Sequence, residues 1–187
     1  MQKRGQLIIL SGPSGVGKGT IREKLFEYKE LNLAYSISMT TRRPRVNEVE
    51  GEDYFFVNDE TFLKKIKENG LIEWAKFVGN YYGTPKDYVE QLLEEGKNVV
   101  LEIEVQGATQ VKSMFPDAIT IFIVPPSIEE LENRIRKRRT EEEDIVLQRL
   151  NKAKYELTLT DQYRFVVENN TLDQTVDEVK KIIENNI

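Results

Sequence analysis

Cysteine and histidine are both absent from the 187-residue chain. Without cysteine the chain can form neither a disulfide nor a thiolate metal site. This fits a reducing, intracellular setting, and we therefore expect a cytoplasmic protein. Without histidine it lacks the commonest general base and a frequent metal ligand. Any catalysis must therefore proceed without imidazole or thiol.

Long hydrophobic runs are also missing. No apolar stretch approaches the ~20 residues that a membrane helix needs. The net charge of −5 argues against a protein that coats nucleic acid. With 39% hydrophobic and 32% charged residues, the composition is that of a globular domain. We expect one domain with no membrane or nucleic-acid partner.

Strand-like and helix-like segments alternate along the chain. This alternation predicts an α/β fold with a parallel sheet between helices. The run at 118–124 is wholly apolar, as expected for a strand of a sheet covered on both faces. The segment 79–84 contains Gly and Asn and is predicted to be a turn. The predicted strands are 6–11, 34–40, 53–57, 71–78, 98–105, 118–124 and 164–168; the predicted helices are 21–28, 60–69, 86–95, 128–138, 143–161 and 173–185, with a further helix that ends near 114.

The segment "GPSGVGKGT" follows the first strand directly. Its spacing of Gly12, Gly17 and Lys18 matches the phosphate-binding loop G-x-x-x-x-G-K. Glycines let the backbone N–H groups point at an anion, and the following helix adds its positive end. Lys18 would bind the β- and γ-phosphates of a nucleotide. The predicted ATP-binding residues of this loop are Gly12, Pro13, Ser14, Gly15, Val16, Gly17, Lys18, Gly19 and Thr20.

The loop departs from the pattern at its last position. Gly19 replaces the Ser or Thr whose hydroxyl normally binds magnesium, and Thr20 follows one residue later. We therefore expect Mg²⁺ to be held mainly by phosphates and water. No residue is assigned as a direct metal ligand.

A basic loop follows the next strand. Arg42, Arg43 and Arg45 are suited to bidentate phosphate binding, although alone they also fit a solvated surface loop. Tyr54 follows nearby, and Glu73 begins an aromatic-rich stretch. Arginines and a phenol together favour a second phosphate site.

Six segments of the chain together resemble the guanylate kinases, which transfer the γ-phosphoryl group of ATP to GMP. The resemblance covers essentially the whole chain. It implies a P-loop NTPase-type parallel sheet core with helices on both faces, an inserted GMP-binding subdomain and a short lid. The core would comprise 1–35, 85–137 and 150–187, the GMP-binding region 36–84 and the lid 138–149. The segments are "GPSGVGKGT", "TTRRPR", "GEDYFF", "IEWAKFVGNYYGT", "LEIEVQGA" and "IFIVPPS".

The resemblance also implies an acceptor site for GMP, with dGMP as an expected second acceptor. Glu73 and Thr84 would read the guanine, because a carboxylate can accept from both N1–H and N2–H. Adenine offers an unprotonated N1 at that place, so AMP would be disfavoured. The implied phosphate ligands are Ser38, Arg42, Arg45, Tyr54 and Tyr82.

Two further carboxylates lie in "LEIEVQG". Alternation places Glu102 and Glu104 on one face of a predicted strand. The guanylate kinases often carry aspartate at one or both positions. Which of the two contacts guanine, and which lies near the magnesium waters, is left open by the sequence.

The arginine-rich segment "NRIRKRRTEEED" would be the lid. Arg134 and Arg138 are four residues apart and share a helix face, and Arg149 lies on the next helix. By resemblance these arginines meet the transferred phosphoryl group, Arg139 stacks on adenine, and Asn169 belongs to the ATP site. Arg136 and Lys137 are interpreted as solvated. The residues expected to act in catalysis are Lys18, Arg42, Arg134, Arg138 and Arg149.

A general base is not needed for this reaction, because the nucleophile is a phosphate oxygen that is already anionic near neutral pH. Catalysis then consists of aligning two polyanions among cations. Two alternatives stay open: a non-catalytic guanylate-kinase-like binding module, and a kinase for another small acceptor. The intact loop with Lys18 argues against the first, and Glu73 argues against AMP as the acceptor of the second. The oligomeric state is not indicated.

Overall fold

The computed structural model describes residues 3–77, 79–137 and 143–187. Its strands and helices alternate as predicted. The strands are β1 (Leu7–Ser11), β2 (Leu33–Tyr35), β3 (Ser38–Thr40), β4 (Tyr54–Phe56), β5 (Leu71–Phe77), β6 (Asn80–Pro85), β7 (Asn98–Glu102), β8 (Ile119–Val124) and β9 (Phe165–Glu168). The helices are α1 (Lys18–Leu25), α2 (Asp59–Lys67), α3 (Lys86–Glu94), α4 (Val105–Met114), α5 (Ile128–Lys137), α6 (Glu143–Leu157) and α7 (Leu172–Glu184).

The main sheet is parallel, with the strand order β2-β7-β1-β8-β9. Side chains of β1 alternate between two cores. Ile8 and Leu10 pack with helices α1, α5, α6 and α7, while Leu7 and Ile9 pack with α3 and α4. Because apolar layers cover both faces, the strands can be apolar throughout. The predicted α/β fold is confirmed.

A second sheet has the order β4-β3-β6-β5. In it β3 and β4 are parallel, whereas β6 runs antiparallel to both β3 and β5. Its own small core contains Met39, Phe62 and Leu71. Ile72 of β5 instead packs in the main core with Leu101. The second sheet is therefore anchored to the side of the main core that carries α3 and α4.

The strand predicted at 34–40 is in fact two strands in different sheets. β2 pairs with β7, and the Ser36 N–H donates to the Val100 carbonyl (3.0 Å) as the last link to the main sheet. β3 then joins β4 and β6. Residues 35–40 of this segment alternate between apolar and polar side chains. Such a pattern does not show where a chain leaves one sheet for another, so the sequence missed this change.

The turn predicted at 79–84 was wrong, because most of this segment forms strand β6. Tyr82 pairs with Ala75, and Gly83 pairs with Trp74. Of the residues 79–84, Gly79, with a φ of +79°, precedes the strand. The two tyrosines favour a strand, and their preference outweighs that of the flanking glycines.

Several helix ends also differ from their predicted positions. Helix α1 begins at Lys18 rather than at residue 21, directly after Gly17. Helix α6 ends at Leu157, and a short 3-10 turn follows at Thr160–Gln162. Ser127 accepts a hydrogen bond from the Glu130 N–H (3.0 Å), which is one half of a capping box at the start of α5. Within the described ranges, no helix combines the length and apolar character needed to cross a membrane.

Candidate active site

The glycine-rich loop connects β1 to α1 and wraps around its own lysine. The Lys18 Nζ donates to the carbonyl oxygens of Gly12 (2.6 Å) and Pro13 (3.2 Å). Burial lowers the pKa of Lys18, and nearby Glu102 partly opposes this effect. The ammonium group is thus held inside the loop, where its charge is poorly solvated. An anion at this place would gain a strong electrostatic partner.

Two glycines of the loop are required by its geometry. Gly12 has a φ of +150°, and a Cβ there would lie 2.5 Å from the Ile123 carbonyl oxygen. Gly17 has a φ of +104°, and a Cβ there would lie 2.7 Å from the Asn169 Nδ2. Only glycine avoids both the strained backbone and these clashes.

Asn169 and Arg134 contact the loop from behind. The Asn169 Nδ2 donates to the Val16 carbonyl (2.7 Å), and the Arg134 Nη2 donates to the Asn169 carbonyl (3.2 Å). The Arg134 Nε also donates to Glu130 (2.9 Å). Both predicted residues therefore support the loop backbone in this arrangement. The predicted contact of Arg134 with the transferred phosphoryl group stays a prediction.

A cavity of about 570 Å³ opens beside the loop. Arg149 reaches its rim from α6, and its Nη2 donates to the Ser14 Oγ (2.5 Å). Thr20 is exposed on α1, outside this lining. The predicted lid residues Arg138 and Arg139 lie outside the described residues. The lining residues that carry charge are Lys18, Glu102, Glu104, Arg149, Lys152 and Glu156.

Glu102 and Glu104 do not share one face of a strand, so that prediction was wrong. β7 ends at Glu102, and Glu104 is the residue that precedes α4. The Arg22 Nη1 donates to the Glu102 Oε2 (3.0 Å), and the Lys152 Nζ donates to the Glu104 Oε2 (2.7 Å). The Glu102 side chain is 20% exposed and that of Glu104 is 68% exposed. Glu102 is therefore the more enclosed carboxylate.

A second cavity, of about 310 Å³, adjoins the first. Its lining shares Glu102, Ile103 and Glu104 with the cavity beside the loop. The two cavities therefore meet at the end of β7. Its other lining residues are Ser38, Tyr54, Glu73, Ala75, Tyr82, Gly83, Gln106 and Gly107.

Glu73 is buried at one end of this second cavity. The Thr84 Oγ1 donates to the Glu73 Oε1 (2.6 Å). Burial raises the pKa of Glu73, and the Thr84 hydrogen bond partly offsets this rise. Gly107 leaves room for the carboxylate, since a Cβ there would lie 2.9 Å from the Glu73 Oε2. This second oxygen can accept from a ligand.

Of the predicted phosphate ligands, Ser38, Tyr54 and Tyr82 line the second cavity, and Arg42 and Arg45 do not. The rings of Tyr54 and Tyr82 lie edge to face, with centroids 6.2 Å apart. The guanidinium of Arg42 lies 5.4 Å from the Tyr54 ring centroid. The Arg45 side chain is exposed. A hydroxyl, two phenols and the guanidinium of Arg42 are thus brought to one region, whereas the Arg45 side chain is not placed there.

Three charged residues of this region were missed from the sequence. Arg22 lies one helical turn after Lys18, a spacing that indicates a shared face of α1. Glu156 is a buried carboxylate in the loop cavity, and no local motif marks it. Glu48 binds Arg42 and lies in the loop between the quoted segments "TTRRPR" and "GEDYFF". Its importance depends on how that loop folds, which spacing alone does not give.

A parallel sheet, a glycine-rich loop after β1 and a lysine at the first residue of α1 define a P-loop nucleotide-binding protein. Comparison with known proteins gives the particular family. The family model described as "Guanylate kinase" matches residues 4–186. The chain therefore belongs to the guanylate kinase family.

Individual relatives agree with this assignment. A guanylate kinase of Bacillus anthracis is 55% identical over 97% of this chain and 88% of its own length. The guanylate kinase of Bacillus subtilis is 52% identical, covering 98% and 90%. The crystal structure of guanylate kinase from Anaplasma phagocytophilum matches with a TM-score of 0.76 at 34% identity, covering 98% of this chain and 87% of that chain. A shikimate kinase from Bacteroides thetaiotaomicron, at 15% identity and a TM-score of 0.52 over 96% of this chain and 98% of that chain, shows the fold alone.

Proposed function

We propose that this protein transfers the γ-phosphoryl group of ATP to GMP, giving ADP and GDP. One observation carries the proposal. The cavity that contains Lys18 of the loop adjoins the cavity that contains the Glu73–Thr84 pair. A donor triphosphate in the first and a guanine nucleotide in the second would meet where the two cavities share Glu102 and Glu104.

The base would be read by Glu73. Its Oε1 accepts from Thr84. Its Oε2 lies so close to Gly107 that any larger residue there would collide with it. In the part of the chain that the structure describes, no cation interacts with Glu73. Such a buried carboxylate gains most from a ligand with adjacent N–H donors. Guanine offers N1–H and N2–H, whereas adenine would face the carboxylate with an acceptor.

Phosphate binding and charge stabilisation would come from cations. Ser38, Arg42, Arg45, Tyr54 and Tyr82 would hold the acceptor phosphate. Around the transferred group we propose Lys18, Arg134, Arg138 and Arg149. Since the attacking oxygen is anionic, alignment and charge neutralisation suffice for the transfer.

The residues present also fit Mg²⁺. Gly19 has no hydroxyl for the metal, but the carboxylates of Glu102 and Glu104 line the cavity that contains Lys18. Carboxylate oxygens and water suit this ion. We propose that phosphates and water hold Mg²⁺, with these carboxylates beside the waters. Bound Mg²⁺ would neutralise charge on the triphosphate.

Further parts of the proposal follow from the family. We propose a core of 1–35, 85–137 and 150–187, a GMP-binding region of 36–84 and a lid of 138–149, with the last two closing on the substrates. We also propose that dGMP is an acceptor and that the protein works in purine nucleotide metabolism in the cytoplasm.

A coupled assay tests the function directly. ATP and Mg²⁺ are mixed with the protein and, in turn, with GMP, AMP, CMP or UMP, and ADP formation is followed. We expect rapid turnover with GMP and little with the other three. Tight GMP binding without turnover would instead indicate a non-catalytic binding module. Preference for another nucleotide would overturn the assignment of Glu73.

A further inference from the structure

One carboxylate connects the arginines of the basic loop. The Glu48 Oε1 accepts from the Arg42 Nη2 (2.8 Å), and its Oε2 accepts from the Arg42 Nη1 (3.0 Å). The same Oε2 accepts from the backbone N–H of Arg45 (2.7 Å). A single side chain thus fixes both the guanidinium of one arginine and the backbone of the other.

The backbone brings Glu48 to this place through a tight turn. The Glu48 N–H donates to the Arg45 carbonyl (3.2 Å), and Asn47 has a φ of +74°. Asparagine tolerates this left-handed conformation better than most residues do. The Arg42 and Glu48 side chains are only 15% and 18% exposed. The contact is therefore more enclosed than an ordinary surface ion pair.

The contact with Glu48 uses only some of the N–H donors of the Arg42 guanidinium. A guanidinium has five N–H donors in a fixed plane. Glu48 occupies the edge formed by Nη1 and Nη2, and the Arg43 carbonyl accepts a further bond from Nη1 (2.8 Å). The adjoining edge, formed by Nε–H and the second Nη2–H, is not used by Glu48. That edge can bind a phosphate bidentately, and Tyr82 lies beside the same guanidinium.

We propose that Glu48 is a positioning residue of the acceptor site, which holds Arg42 so that the edge not used by Glu48 faces the phosphate of a nucleoside monophosphate. This inference rests on the proposed function and extends it to a residue that does not itself bind substrate. Glu48 would also fix the Arg45 turn from which the second arginine extends.

The charge of Glu48 fits this role. Its pKa is lowered, first by the hydrogen bond from Arg42 and then by that from the Arg45 N–H. Because the second pKa of a phosphate monoester is near 6, Glu48 stays ionised throughout the range in which GMP becomes a dianion. The alternative is competition between Glu48 and the substrate. In that case Glu48 would occupy the edge of Arg42 that binds the GMP phosphate, and it would have to leave before GMP binds. Occupation of only one edge favours positioning.

The first test compares Glu48→Gln with the wild type. Glutamine keeps the size, and its one oxygen can replace Oε2. The negative charge is lost, however, and the amide NH2 cannot accept from the Arg42 Nη2 as Oε1 does. Dissociation constants are measured for GMP, for guanosine and for ATP. We expect GMP affinity to fall about 10- to 100-fold, as for a lost charge-assisted bond, with guanosine and ATP affinity unchanged. Guanosine reports only the base end of the cavity because it carries no phosphate.

A matched control is Glu90→Gln, which removes the contact between Glu90 of helix α3 and Arg4, a residue that precedes β1. It should change none of the three affinities. Glu48→Asp serves as a second variant: its charge is kept, but its shorter side chain cannot reach Arg42 and the Arg45 N–H together. We expect a GMP affinity between those of the wild type and Glu48→Gln.

The second test asks whether Glu48 acts through Arg42. In the Arg42→Ala background, Glu48→Gln should reduce GMP affinity by a clearly smaller factor than in the wild type. Equal factors in both backgrounds, unchanged GMP affinity in Glu48→Gln, or a loss shared with guanosine would each overturn the proposal. Tighter GMP binding would establish competition instead. Wild-type turnover of GMP tests the proposed function separately from all of these outcomes.

Discussion

Replacement of Glu73 by glutamine should separate activity from stability. The variant keeps the side-chain size, and the new Oε1 can still accept from the Thr84 hydroxyl, which lies 2.6 Å from the present Oε1. It loses the charge and the second acceptor oxygen. The amide therefore cannot receive both N1–H and N2–H of guanine.

The expected loss follows from these contacts. A lost charge-assisted pair is worth about 2–4 kcal/mol, so kcat/KM for GMP should fall about 30- to 900-fold. The amide N–H can pair with adenine N1, so the ratio of AMP to GMP efficiency should rise. Thermal stability of the variant, in contrast, should increase. Burial raises the folded-state pKa of Glu73, so ionised Glu73 destabilises the unliganded protein at pH 7, and the variant should melt at a higher temperature.

The pH dependence gives a second signature of the same residue. Because burial raises its pKa, Glu73 gains a proton at a higher pH than an ordinary glutamate does. The protonated carboxyl is a poor acceptor for two N–H groups, so GMP efficiency of the wild type should decline as pH falls through this raised value. Glu73→Gln should lose the part of the decline that Glu73 causes and keep only the part that comes from protonation of the GMP phosphate, whose second pKa is near 6.

The assay measures kcat/KM for GMP and AMP between pH 5 and 8, together with thermal melting, for both proteins. Glu90→Gln is the control for a neutralised surface carboxylate and should change neither ratio nor pH profile. An unchanged AMP-to-GMP ratio in Glu73→Gln would show that Glu73 does not read the base. The reading of guanine would then have to be assigned to Glu102 or Glu104.

Three further substitutions test the assignment of the cations. Lys18→Met should lower turnover by about 3–4 kcal/mol in transition-state stabilisation without loss of melting temperature, because the buried ammonium already has a lowered pKa; near-wild-type turnover would refute the P-loop assignment. Arg45→Ala should weaken GMP binding far more than ATP binding, and titration of each nucleotide checks this. A larger loss of ATP affinity would mean that the basic loop binds ATP and not GMP. Arg138→Ala should lower kcat with little change in binary GMP affinity; collapse of GMP binding alone would identify Arg138 as an acceptor-site or structural residue.

The parts of the molecule that local spacing determines were predictable from the sequence. The loop at Gly12–Thr20 requires positive φ values at fixed positions, and glycines stand at these positions. The apolar run of β8 requires a covered sheet, and both faces of that sheet are covered. These features depend on neighbours in the chain, so the pattern contains them.

Features that depend on distant partners were missed or misplaced. β6 was expected to be a turn because its sequence contains Gly and Asn. It is a strand because it pairs with β3 and β5, and this pairing is not visible in the local sequence. Glu104 was expected to lie on a strand, but the chain turns into α4 directly after β7. The sequence shows Arg134 as a basic residue of a helix. Only the packed structure shows that its guanidinium contacts the Asn169 carbonyl behind the loop.

Transfer of labelled phosphate tests the central claim most directly. The protein is incubated with Mg²⁺ and ATP labelled at the γ-phosphate, with and without GMP, and the labelled products are separated. Because two adjoining cavities would hold donor and acceptor together, the label should appear in GDP when GMP is present and should stay in ATP when it is absent. Release of the label as inorganic phosphate at the same rate with or without GMP would contradict the account, since the protein would then hydrolyse ATP and not transfer its phosphoryl group.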